Sequence, residues 1–190
     1  MRKGRFTRQF AGLAFAGVML VSPVQPEEVG AWLVKDDPAC PHSSDVPAAG
    51  NQARTVKATV CLLNARRAEA GLAPLSVHPL LVETASYHAR AMVQARFFGH
   101  VAPDGMSPEQ RIAVAGYTGV PTGENVAWGT GANAMPVRVV ESWMASPSHR
   151  ANILNPELTE VGVGVAAGSP EDGPQADGTA YTVDLGAGGS

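Results

Sequence analysis

VGVGVAAGSPEDGPQADGTAYTVDLG, residues 161–186, holds two runs of strand character, VGVGVAA (161–167) and TAYTVDLG (179–186), around a polar stretch rich in Gly and Pro. Valine, tyrosine and threonine suit a pleated, half-buried surface, so the segment predicts a hairpin with a long loop. ENVAW (124–128) supplies a third strand. Working towards the amino terminus, the apolar period changes from two to that of a helix. Val56, Val60 and Leu63 recur at helical spacing ahead of Gly71, predicting a first helix over about Ala53 to Ala70. His78 before Pro79 suits an N-cap and first-turn proline, and Leu81, Ala85, His88, Met92 and Ala95 form the stripe of a second helix ending near Phe98. Ser107-Pro108-Glu109-Gln110 reads as a capping box opening a short helix that Gly116 closes. A fourth helix covers about Ala134 to Ala145 with Val139, Val140 and Trp143 inward, and Ser146-Pro147 ends it and caps a further turn carrying His149. Helices first and strands late predict an α+β domain in which helices cover a small antiparallel sheet.

Residues 1–31 have the form of an export signal: Arg2, Lys3, Arg5 and Arg8 precede an apolar run from Phe10 to Val21, and Val29-Gly30-Ala31 offers a small-x-small cleavage site. The run is shorter than the ~20 residues a membrane span needs, and no second one follows, so a mature chain beginning at Trp32 without a transmembrane segment is expected. Residues 32–52 read as a linker or amino-terminal arm, and 53–187 as one domain. From Trp32 onward ten Lys and Arg stand against fifteen Asp and Glu, a formal charge of −5, which argues against nucleic acid as a partner. Cys40 and Cys61 form an even pair in an exported chain, the pattern of a disulfide. Closing a loop of about twenty residues contributes about 3 kcal/mol in the chain-entropy model.

The five histidines carry the chemistry worth weighing, since imidazole serves both metal binding and proton transfer near neutral pH. His42 lies in the arm and reads as solvated, His78 as a helix cap, and His88, in the middle of an apolar stripe, as a hydrogen-bonded core residue. His100, in FFGHVAPDG (97–105), and His149, in SPSHRANIL (146–154), instead follow helix breaks beside turn residues, where side chains are free to face a site. Glu124 in GENVAWG (123–129) joins them by type. Two imidazoles and a carboxylate can form a zinc set with a fourth position open to water, or an acid and a base without metal. Spacing alone leaves open whether they meet: gaps of 24 and 25 residues match no local metal motif, and HExxH is absent. No GxSxG elbow is present, Ser146 and Ser148 read as capping residues, and Gly162-x-Gly164 lies inside a strand pattern rather than before a helix. Glu141, two residues before Trp143, falls on the outer face of its helix.

The ordered strings CLLNARRAEAGLAPL, ASYHARAMVQARFFGHVAPDG, GENVAWG, ESWMASPSHRANILNPELTEVGVGV and YTVDLG resemble bacterial secreted CAP-superfamily domains, the SCP-like group named after cysteine-rich secretory proteins, antigen 5 and plant pathogenesis-related class-one proteins. The similarity spans about Thr55 to Gly186. It implies a three-layer α-β-α sandwich with a small central antiparallel sheet and a cleft holding two histidines and two acidic residues. Carried over by position, the histidines fall on His100 and His149 and the first glutamate on Glu124. At the second acidic position of eukaryotic members this chain has Ala145 and Ser146. The resemblance also implies that Cys40 and Cys61 are the bridge tying an amino-terminal arm to the first helix. The expected function is a secreted, monomeric pocket protein that binds zinc or another divalent metal, with hydrolase chemistry at His100, Glu124 and His149 as an extension. The rival expectation is a non-catalytic module for a small molecule, a lipid or a cell-envelope partner, for which Phe97, Phe98 and Trp128 are the scattered apolar candidates.

Overall fold

A computed structural model describes residues 38–174 and 176–188; the signal-like segment and the first part of the arm lie outside the described residues. In chain order come α1 (Gln52–Glu69), β1 (Ser76–Val77), α2 (Pro79–Gln94), α3 (Pro108–Val114), β2 (Thr122–Gly129), a 3₁₀ turn (Gly131–Ala134), α4 (Pro136–Ala145), α5 (Pro147–Ile153), β3 (Glu160–Ala167) and β4 (Thr179–Gly186). The sheet order is β1-β3-β4-β2. β3 and β4 form the expected hairpin, β2 pairs antiparallel with β4, and β1 adds a two-residue parallel edge that the sequence pattern does not announce.

Alternation along the three long strands sorts their side chains onto two faces. Val161, Val163, Tyr181, Val183 and Leu185 pack with Leu62 and Leu63 of α1 and Val139, Val140 and Trp143 of α4. Ala166, Ala180 and Val126 face the other way, against Ala89, Met92 and Val93 of α2. Helices therefore cover both faces, giving a three-layer α-β-α sandwich. The α2 layer lies unusually close because of two glycines. A Cβ on Gly162 would stand 1.9 Å from the backbone carbon of Leu81, and one on Gly164 would stand 2.2 Å from that of Ala85. Helix backbone rests directly on strand backbone there.

Local signals place the helix ends. His78 accepts a hydrogen bond from the Leu80 N–H as an N-cap with proline after it. Ser107 and Gln110 complete the capping box of α3. α1 and α3 stop at Gly71 and Gly116, both left-handed. α2 stops four residues before the expected Phe98, because Arg96 adopts a left-handed φ of 52° and the Phe97 N–H turns back to the Met92 carbonyl, the bonding of a Schellman end. Ser146 makes no capping bond to α5, although Pro147 opens that helix as expected. On α1 the buried face runs through Thr55, Thr59, Leu62 and Leu63, with Val56 and Val60 beside it, and includes Arg67. That guanidinium, 1% exposed, donates to the carbonyls of Ala73, Ile153 and Asn155 and so ties α1 to the end of α5.

Cys40 and Cys61 are bonded. The described part of the arm packs on the domain, with Cys40 and Ser43 fully buried and the Val137 N–H donating to the Ser43 carbonyl at 2.9 Å. His42, half-buried rather than freely solvated, pairs with Asp45 at 2.9 Å. Gly162→Ala is expected to lose about 3 kcal/mol or more, since the added methyl meets backbone rather than a movable side chain. Gly50→Ala, with open space around the added carbon, should change little; urea unfolding of both variants checks the contrast.

Candidate functional site

β2 is an edge strand, and two consecutive residues on it reach into opposite layers. Glu124 faces α2 and α3; Asn125 faces α5. The Glu124 side chain is 1% exposed, and burying an ion costs several kcal/mol unless it is paired and hydrogen-bonded. Its partners come from two separate segments. Arg111 of α3 donates from Nη2 to Oε2 at 2.5 Å, and His100 approaches Oε1 through Nδ1 at 2.7 Å. Arg111 also donates from Nη1 to the carbonyls of His100 and Met106, so one guanidinium holds both the carboxylate and the loop that presents the histidine.

With a carboxylate as acceptor, Nδ1 of His100 carries the proton, which leaves Nε2 as the nitrogen available to a ligand. The Glu124 hydrogen bond holds the His100 pKa above its ordinary value, and the imidazole remains 46% exposed. His88 lies beneath, fully buried, with Nε2 at 2.8 Å from the Gly99 carbonyl and 3.9 Å from Glu124 Oε2. Burial lowers its pKa, so it is a neutral imidazole donating to the turn that carries His100. This is the core role its apolar stripe suggests, at a position that also supports the site.

His149 arrives from the other layer. Asn125 donates to the His149 carbonyl at 3.1 Å, and Asn152 donates to the Glu124 carbonyl at 3.0 Å and to Asn125 Oδ1 at 2.9 Å. Trp143 Nε1 donates to the Val126 carbonyl at 3.0 Å. These bonds fasten α4 and α5 along the strand and bring the ring of His149 to 6.4 Å from that of His100, tilted by 49°. Burial, then the neighbouring His100, lowers the His149 pKa. The two imidazoles are thus displaced in opposite directions, and between their midpoints one is protonated and the other neutral.

The structure places Glu124 in contact with His100 and brings His149 beside His100, while His42 and His78 lie elsewhere, the latter edge-on to Tyr117 at 4.9 Å. Among the described residues no group of three His, Cys, Asp or Glu side chains is disposed to hold a metal. Glu124 is engaged by His100 and Arg111, which leaves the two imidazoles as outward-facing donors. Glu141 is exposed and paired with Arg138, as its place on the helix suggests. Sequence reasoning overlooked Arg111, Asp184, Asn125 and Asn152. A signal existed for two of them. Asp184 is an acid inside an apolar strand, and Asn125 beside Glu124 puts polar groups on both faces of a short strand at once.

The family model of the CAP, cysteine-rich secretory protein family, matches residues 60–184, more than half of the chain. The chain belongs to the CAP family. It is 39% identical over 114 residues to the Bacillus subtilis uncharacterized protein YkwD, covering 60% of this chain and 43% of that protein. It is 32% identical over 114 residues to the B. subtilis uncharacterized membrane protein YlbC, of which it spans 32%. Among solved structures, the fold is shared with an extracellular SCP-domain protein of Bacillus anthracis (TM-score 0.58, 24% identity, 73% of this chain and 41% of that one). It is shared also with an outer surface protein of Borrelia burgdorferi (TM-score 0.57, 24% identity, 67% of this chain and 87% of that one). This CAP domain therefore spans less than half the length of the two B. subtilis relatives.

In the metal-free CAP domain, NMR titration of the histidine rings should give His100 a midpoint above the ordinary value of about 6.5 and His149 one below it. The Glu124 contribution to His100 is present in full below that ordinary value and is lost as pH rises through the raised midpoint. Glu124→Gln should bring the His100 midpoint down; an unmoved midpoint would show that the hydrogen bond does not govern it.

Proposed function

We propose that this is an exported CAP domain that binds a divalent metal, zinc by preference, through His100 and His149, with Glu124 behind His100 as its orienting carboxylate. The observation that carries the reading is the 2.7 Å contact between His100 Nδ1 and Glu124 Oε1, with the second imidazole facing the first. A carboxylate on the far nitrogen fixes the tautomer and raises the basicity of a ligating histidine. His100 and His149 would hold the ion, and zinc so held would supply Lewis-acid chemistry and lower the pKa of a bound water to about 7. The chain's own contribution is to hold two ring nitrogens in place and to hide the orienting carboxylate. The export reading draws on the signal-like residues 1–31 and on the extracellular and outer-surface relatives named above. No helix among the described residues is long and apolar enough to cross a membrane.

The opposed displacement of the two histidines favours a second reading, a hydrolase on peptides or cell-wall material that works without metal. Between the two midpoints, neutral His149 would take a proton from water and protonated His100 would give one to a leaving group. Glu124, at 1% exposure, acts here through His100 rather than on the substrate. A non-catalytic lipid reading has its own support in the groove between α2 and α3, about 370 Å³, where Tyr87, Met106 and Val114 line an apolar wall beside the polar Glu83, Thr84 and Arg111. Lipid extraction of the purified protein tests it.

Zinc titration of the metal-stripped chain by calorimetry should give about one saturable site per chain, lost in the His100→Ala/His149→Ala double variant with its fold intact. Affinity should rise with pH through the raised His100 midpoint, because the ligand must shed its proton, and Glu124→Gln should weaken it by about 10- to 100-fold. Equal affinity in wild type and double variant would remove the metal reading. Turnover on a muropeptide panel in metal-free buffer would favour the second.

A further inference from the structure

Asp184, the acid of YTVDLG, has been given no role so far, yet it is among the most confined acids of the described residues. It sits on β4 directly opposite Glu124, and its residue exposure is 1%. The Ala187 N–H donates to the Pro121 carbonyl, which makes 121 and 187 a hydrogen-bonded pair. By alternation, 124 and 184 are a non-hydrogen-bonded pair, the kind whose side chains stand closest. Two carboxyl groups therefore share one side of the sheet. The cations that face them are Arg111 from α3 and His100 from its loop; His88 on α2 is held neutral. Arg111 and His100 are both bonded to Glu124. Among the described residues nothing cationic bonds Asp184. Its Oδ2 accepts from the Thr84 hydroxyl of α2 at 2.6 Å, while its Oδ1 is buried with no protein donor.

A buried carboxylate oxygen without a donor is costly, and a carboxylic acid facing a carboxylate is not, since the acid supplies the proton both need. We propose that Asp184 is a neutral carboxylic acid whose proton is donated to Glu124, making it the positioning residue that holds the Glu124 carboxylate towards His100. Thr84 anchors the acid to α2, Asp184 anchors Glu124, and Glu124 orients His100. Burial and the neighbouring Glu124 charge both push the Asp184 pKa well up, in keeping with that assignment. The resemblance implies a second acid beyond Trp143, where the chain has Ala145 and Ser146. Asp184 is a different kind of partner, reached across the sheet rather than along the helix. The inference rests on reading His100 and Glu124 as a unit and is independent of whether that unit binds metal.

The test uses the metal-stripped protein, so failure of the zinc reading leaves it intact. Infrared difference spectra should show a protonated-carboxyl C=O band in wild type at pH 7–8, far above the ordinary aspartate range near 4, and the band should vanish in Asp184→Asn. Asparagine can still donate to Glu124 and accept from Thr84. The downfield Nδ1–H proton resonance of His100, a signature of its hydrogen bond to Glu124, should therefore persist in Asp184→Asn and be lost or displaced in Asp184→Leu. Absence of the infrared band, or its survival in Asp184→Asn, overturns the assignment of the proton. An unchanged Nδ1–H resonance in a folded Asp184→Leu overturns the positioning role, and if that variant does not fold, the same resonance read in the smaller Asp184→Ala decides it.

Discussion

A carboxylate enclosed at the edge of a sheet is the constraint around which this domain is arranged. An unpaired ion buried there would cost several kcal/mol, and the chain surrounds it with a guanidinium from α3 and an imidazole from the loop after α2. Each of those groups has a second duty. Arg111 closes the His100 loop through two carbonyls, and α3, only seven residues long, is held at its start by the Ser107–Gln110 capping box. The charge thus organises the segment 99–111, which has little apolar burial of its own to do so.

The sheet brings the remaining parts within reach. Gly162 and Gly164 let the backbone of α2 settle onto β3, and at that distance short side chains such as Thr84 and His88 meet groups on β4 and β2. A larger residue at either glycine would raise the helix, and a threonine hydroxyl could not span the gap to Asp184. Packing on this face and polar geometry at the site are one fact seen at two places. On the opposite face, α4 and α5 are positioned by Trp143 and Asn152, each bonded to a strand carbonyl.

Much of this was legible in the chain, and the reasons for the remainder are physical. Helix boundaries followed from local chemistry, with Ser107, His78, Gly71 and Gly116 acting where their type predicts, and the hairpin followed from period and turn composition. The end of α2 was missed because a left-handed arginine, Arg96, does the work usually left to glycine. β1 was missed because two residues carry no period. Apolar spacing could not show that His100 bonds Glu124 or that the His149 ring lies beside that of His100, since both depend on how separate elements pack; the family resemblance supplied the expectation that the three share a cleft. Arg111 escaped notice because an arginine in a short helix looks solvated until the tertiary fold closes over it, whereas the acid in the apolar strand at Asp184 was a signal left unread.

The outward carbonyls of Glu124 and Val126 are both taken, by Asn152 and Trp143. An edge strand is ordinarily an invitation to a further strand, whether from another copy or from an extended peptide. Beside the two histidines that invitation is weakened, since an incoming strand would find these two acceptors already engaged. A strand added at this point would have to displace the Asn152 and Trp143 side chains from those two carbonyls or share the carbonyls with them.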